Sequence, residues 1–152
     1  VAAAQSLNRF QEQDRMIATL TKPKAEPIVG RETSRDHVPL IYVAAPYTQP
    51  DPVANTHAVI RIADALLESG FIPLIPHLTL AWHLVSPKPY DTWLDYDRHL
   101  LACCDVLLRV PGYSHGATQE CTFADELAIP VIRPRSADAA DCVAALTHFF
   151  SN

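Results

Sequence analysis

Four short apolar runs, separated by stretches of helical period, constrain this chain more than anything else in it. Leu40–Ile41–Tyr42–Val43–Ala44 carries no charge and stops at Pro46. Apolar side chains at every position fit a strand covered on both faces, as in a parallel sheet, rather than a strand with one wet face. Phe71–Ile72–Pro73–Leu74–Ile75, Val106–Leu107–Leu108–Arg109–Val110 and Val131–Ile132 follow in turn. Pro73 predicts that the second of these runs lies near a sheet edge, because proline donates no ladder hydrogen bond.

The segments between the runs read as helices. Asp51–Pro52 supplies an N-cap followed by proline at the first helical position. Val53 to Glu68 then places Val59, Ile62, Ala63, Leu66 and Leu67 on an inward face, and Gly70 ends the helix. Further helices are expected over Asp91–Cys104, Ala117–Ala128 and Ala137–Phe150, with a loop or short helix carrying His77, Trp82 and His83. Strand alternating with helix implies right-handed crossovers and a parallel sheet covered on both faces. A ligand then belongs at the carboxyl ends of the strands. That rule selects the loops Ala45–Thr48, Pro76–Leu78, Pro111–Gly116 and Arg133–Ser136, and the region before Asp97.

Composition narrows the class. The 152 residues fit one ordinary domain, and 49% hydrophobic with 19% charged residues suffices for one core. The net charge of −5 and the absence of a lysine or arginine block argue against a nucleic-acid partner. No apolar run approaches a membrane span and no signal-peptide pattern is visible, so a cytoplasmic protein without a membrane partner is expected. Cys103, Cys104, Cys121 and Cys142 show no CxxC spacing and read as buried, reduced thiols. Residues 1–37 read as a short amphipathic helix, with Leu7, Phe10, Ile17 and Leu20 at roughly helical spacing, followed by a Lys- and Pro-rich linker. A frayed tail is the alternative for that segment. Residues 38–152 form the domain.

The stretch Pro111–Gly112–Tyr113–Ser114–His115–Gly116–Ala117–Thr118–Gln119–Glu120 carries the most chemistry. Its glycines permit a tight turn, and the free amides of the helix that begins near Gly116 suit an anion or sugar hydroxyls. Glu120 lies about one turn into that helix, where the dipole is expected to keep a carboxylate ionised and nucleophilic. Taken alone, Glu120 reads first as a favourable first-turn acid. Asp97, within Trp93–Leu94–Asp95–Tyr96–Asp97–Arg98, adds a second carboxylate on the preceding helix, and Asp105 stands just before the third strand.

This order of residues resembles the nucleoside 2-deoxyribosyltransferases and their hydrolytic relatives, the nucleoside 5′-monophosphate N-glycosidases. Asp97 and Asp105 have the spacing of the family's acid pair, Ser114 and Glu120 that of the hydrolases' serine and nucleophile, and Tyr42 matches the first-strand tyrosine. The resemblance covers about residues 40–133. It implies a flavodoxin-like three-layer sandwich of four or five parallel strands, with Tyr42 at the end of a central one. It further implies cleavage of an N-glycosidic bond through a glycosyl ester on Glu120, with Asp97 acting on the base and Tyr42 positioning Glu120. Ser114 and the amides near Gly116 would hold the sugar or a phosphate. Ala44, Tyr47 and His77 are further substrate-binding candidates, and Asp105 is expected to anchor the helix–strand junction. The first loop departs from the hydrolases, which place glycines and a basic residue where this chain has Pro46, Tyr47 and Pro50.

The expected partner is a small-molecule nucleoside or nucleotide, with a homo-oligomer completing the pocket and Arg133–Ser136 as one possible contact. No cofactor or metal is expected, since His77 and His83 lack a third ligand at suitable spacing. Trp82, Tyr90 and Trp93 are open to either base stacking or packing, and Asn55 and His57 to capping or lining the pocket. Two other functions compete: a non-catalytic nucleotide-binding or sensing domain, and a glycohydrolase of NAD-like dinucleotides. Fold alone does not decide among them.

Overall fold

The computed structural model describes residues 37–152. The expected N-terminal helix and linker lie, apart from His37, outside the described residues. Strand β1 (Leu40–Ala44) is followed by helix α1 (Pro52–Glu68), β2 (Ile72–Leu74), a 3-10 turn (Pro76–Leu78), α2 (Thr79–Val85) and α3 (Tyr90–Leu101). Then come β3 (Val106–Arg109), α4 (His115–Glu126), β4 (Val131–Ile132) and α5 (Ala139–Phe150).

All neighbouring strands pair in parallel, in the order β2-β1-β3-β4. This is the flavodoxin-like order with four strands. β1 and β3 are central, and β2 is an edge strand, where Pro73 is tolerated. Alternation along the central strands divides the core into two layers. Ile41, Val43, Val106 and Leu108 pack with Val59, Ile62 and Leu66 of α1 and Cys142 and Leu146 of α5. Tyr42, Ala44 and Leu107 face the other way, against Leu101 of α3 and Ala117, Cys121 and Ala124 of α4.

Asp51 caps α1 as its sequence suggests, accepting from the amides of Val53 at 2.7 Å and Ala54 at 3.3 Å. Leu67, expected to face inward, is 60% exposed. It lies about a quarter-turn from the centre of the stripe formed by residues 59, 62, 63 and 66, at a helical rise of 3.6 residues per turn. α3 ends at Leu101, three residues before the expected Cys104, which leaves Cys103 exposed; Cys104, Cys121 and Cys142 are buried, and all four are free thiols. Asp105 does anchor a junction: its carboxylate accepts from the Leu40 amide at 2.8 Å and contacts His37 Nε2 at 2.9 Å. It thereby pins the amino end of β1, at the opposite end of the sheet from the loops that carry the candidate site.

Candidate active site

Strand order reverses between β1 and β3, and in an open parallel sheet the crevice beyond the carboxyl ends of such a pair is the place a ligand fits. A cavity of about 460 Å³ opens there, within the range of small-molecule sites. Its walls come from the loop after β1, the turn after β2, α2 and α3, and the start of α4.

The loop after β1 is tied down locally. Asn55 Nδ2 donates to the carbonyls of Tyr47 at 2.7 Å and Gln49 at 2.8 Å, so Asn55 shapes the wall from behind. His57 is exposed. His77 packs edge-on against Tyr47, and its Nε2 lies 2.9 Å from the Pro46 carbonyl. A carbonyl only accepts, so Nε2 carries the proton and Nδ1 is left as a buried acceptor without a partner. Burial pushes the His77 pKa down, which keeps the ring neutral.

The turn between β3 and α4 is built around a close contact. Gly112 has φ +129°, and a Cβ there would lie 2.6 Å from Pro46 Cγ. Only glycine therefore fits where this turn crosses the first loop. Ser114 N-caps α4, its Oγ accepting from the Ala117 amide at 3.1 Å. Its hydroxyl proton stays available, as do the first-turn amides of His115 and Gly116, which have no carbonyl one turn behind them within the helix. At Gly116 a Cβ would lie 3.0 Å from the Tyr90 hydroxyl, so α4 and α3 approach closely at the cavity rim.

Glu120 and Asp97 bring the acid chemistry. Tyr42, fully buried at the floor, donates its hydroxyl to Glu120 Oε1 at 2.8 Å across 78 positions of sequence. Glu120 lines the cavity but is only 8% exposed. Its pKa is raised to about 8, first by burial, then by the Asp97 charge, against the opposing pull of the Tyr42 hydrogen bond and of Arg109. The expected dipole stabilisation does not prevail, because Glu120 is the sixth residue of α4 and that effect fades beyond the first turn. Asp97 lines the same cavity, is equally buried, and has its Oδ1 without a hydrogen-bond partner. Burial raises its pKa to about 7. An exposed ion pair (Arg98 to Glu126, 2.8 Å) and the stacking of Arg98 on Phe123 link the two helices that carry these acids.

Of the residues singled out from the sequence, Glu120, Asp97, Ser114, Gly116, Tyr47 and His77 border the cavity. Tyr42 reaches it only through Glu120. Ala44 does not reach it: its side chain is fully buried in the core layer under α3 and α4, and Ala45 lines the cavity instead. Trp93 and Tyr90 border the cavity, whereas Trp82 stacks edge-on against Trp93 and Tyr96 and is half exposed. The Trp93 indole donates to His83 Nδ1 at 2.8 Å, which places the imidazole proton of His83, another cavity residue, on Nε2. Among the described residues no three His, Cys, Asp or Glu side chains gather as a metal site.

Arg109 was not singled out from the sequence. A lone cation closing an otherwise apolar strand was the available signal, and period two places it on the face of Tyr42 and Ala44. Its guanidinium donates to the carbonyls of Val110 and, at 2.8 Å, Gly112.

A family model described as "Domain of unknown function (DUF7768)" matches residues 39–133. No curated protein matches the chain. Among solved structures, a 2-desoxiribosyltransferase from Leishmania mexicana is similar with a TM-score of 0.47 and 19% identity, over 62% of this chain and 63% of that one. The match therefore spans less than two thirds of that chain's length.

Proposed function

We propose that this chain, which belongs to the family described as Domain of unknown function (DUF7768), cleaves the N-glycosidic bond of a nucleoside or nucleotide. The observation that carries the reading is the buried Glu120 carboxyl, held by the Tyr42 hydroxyl at 2.8 Å and sharing its cavity with Asp97. A retaining cleavage needs one carboxylate as nucleophile and a second carboxyl as acid. Glu120 attacks C1′ of the sugar, and the C1′–N bond breaks with its electron pair leaving on the base. Asp97 gives its proton to the departing nitrogen. The resulting glycosyl ester on Glu120 is opened by water, whose proton returns to Asp97, or by a second base. Tyr42 keeps one oxygen of Glu120 fixed so that the other points at the sugar. Ser114 and the first amides of α4 hold sugar hydroxyls or a phosphate, and His77 and Tyr47 border the base. The same reading includes a homo-oligomer and a cytoplasmic setting.

The raised pKa of Glu120 favours one other reading. A carboxyl that is largely protonated at neutral pH hydrogen-bonds a ligand well and attacks it poorly, as suits a nucleotide-binding domain without turnover.

Incubation with a panel of nucleosides, nucleoside monophosphates and NAD, monitored for free base, separates these readings. Base release is expected from the wild type. Glu120→Gln, which keeps an acceptor for Tyr42, should lose several powers of ten in rate, each worth about 1.4 kcal/mol of barrier. Near-normal turnover by Glu120→Gln rules out the nucleophile. Tight binding without base release by the wild type establishes the binding domain instead.

A further inference from the structure

Neither buried carboxyl of the site has an ion-pair partner among the described residues, yet a guanidinium stands on the same face of the sheet. We infer that Arg109 is a positioning residue of this site: it holds the turn that aims α4 and keeps a fixed positive charge on the sheet face under Glu120. The inference takes from the proposed function only that Glu120 is the reacting group.

The geometry supports both halves. Arg109 ends β3, in register with Ala44 of β1, with its side chain on the layer that contains Tyr42 and α4. Its fork donates to two carbonyls of the turn, Val110 and Gly112, one residue and three residues further along the chain. A planar guanidinium bridges two such acceptors in one plane, which an ammonium on a flexible stem does not reproduce. Gly112 is the residue whose conformation and contact with Pro46 leave the turn one seat. The turn runs directly into Ser114, the N-cap of α4, so its seat sets where Glu120 falls relative to Tyr42.

The groups acting on Glu120 come from each element around it. Tyr42 of β1 donates a hydrogen bond to it, Asp97 of α3 opposes its ionisation, and Tyr90 of α3 and Cys121 of α4 respond to its charge. Arg109 of β3 is the group that favours ionisation by positive charge. It acts in the same direction on Cys121, the next residue of α4. Proximity of an opposite charge stabilises a carboxylate even without direct contact.

Two variants of the full chain separate the two halves. Arg109→Met removes both charge and fork; Arg109→Lys keeps the charge and loses the fork. The Glu120 titration midpoint, read from carbon-13 carboxyl shifts without substrate, is expected to rise in Arg109→Met and to return close to the wild-type value in Arg109→Lys. Exchange of the Ala117 and Thr118 amides, which close the turn by donating to Ser114, is expected to quicken in both. An unmoved midpoint in a folded Arg109→Met variant overturns the inference. If that variant does not fold, unchanged exchange of the turn amides in Arg109→Lys overturns it. Neither readout involves turnover, so a failure to release base in the substrate panel leaves this result standing and counts against the proposed reaction alone.

Discussion

The two buried acids set the pH behaviour of the candidate site. The proposed cleavage needs one proton between them, since the nucleophile must be ionised while the leaving base receives a proton. With values of about 7 for Asp97 and about 8 for Glu120, both are protonated well below pH 7 and both ionised well above pH 8. The pair, rather than either residue, carries those two steps. kcat/KM is therefore expected to follow a bell with its maximum between the two values, and a flat profile from pH 6 to 9 contradicts the assignment. In Asp97→Asn the alkaline limb should vanish, and the acid limb should move to higher pH, because the first proton of the pair no longer comes off Asp97 and the limb then reports Glu120 alone. The remaining rate should fall most for bases that leave poorly.

The same burial ties acidity to stability. Glu120 binds its proton more tightly folded than unfolded. Below about pH 4.5 both states hold the proton and nothing is lost. From there to about pH 8 the unfolded chain ionises first, so stability falls as pH rises, by roughly 1.4 kcal/mol per unit of pKa displacement. Glu120→Gln is thus expected to match the wild-type melting temperature near pH 4 and to exceed it by several degrees at pH 9. Parallel melting curves for the two proteins across that range would falsify the placement of a buried ionisable Glu120.

At the scale of elements, the start of α4 depends on one crossing. Gly112 and Gly70 both have positive φ, but only at Gly112 would a Cβ meet a neighbour, Pro46 at 2.6 Å; at Gly70 the space is open. Gly70→Ala should therefore cost only the left-handed backbone, about 1 kcal/mol, and leave ligand binding intact. Gly112→Ala adds a clash between two loops of the cavity and should cost roughly 1–3 kcal/mol more while weakening binding. Urea unfolding of both variants, with ligand titration, reads this directly. Equal losses at the two glycines would mean that the crossing does not hold the turn.

For the whole molecule, α2 is the element that the described domain leaves least covered. None of its seven residues is buried, and Leu84 and Val85 are 72% and 86% exposed. Leu78 and Trp82 extend the exposed apolar surface beside the cavity. Exposed apolar side chains grouped on one short helix suit a contact with another chain, as the proposed homo-oligomer requires. Sedimentation of the wild type is expected to give a dimer or larger, and Val85→Asp a smaller species with its fold retained. A monomeric wild type at micromolar concentration counts against the oligomer. Among the described residues no helix is long and apolar enough to cross a membrane.

Local interactions made much of this protein readable from its sequence. Wholly apolar runs specify buried strands, Asp51–Pro52 specifies a helix start, Pro73 an edge strand, and the glycine turn before Glu120 a helix start near Gly116, which the structure puts at His115. Each depends on residues a few positions apart. The alternation of such elements leaves few topologies, which is why a parallel sheet was legible, whereas its flavodoxin-like form, with four or five strands, was expected from the resemblance. The contact between Tyr42 and Glu120 was expected from a resemblance, yet its physical consequence was not. Desolvation depends on everything packed around a group, and here burial outweighs the helix dipole at Glu120 and raises the pKa of both carboxyls. Ala44, Leu67 and Cys103 were misplaced for a related reason: a strand end points into whichever layer its neighbours fill, and a helix edge or end is covered only if another element reaches it. Arg109 likewise carried no local signal of purpose, because its role lies in the carbonyls and the helix that the fold brings to its side chain.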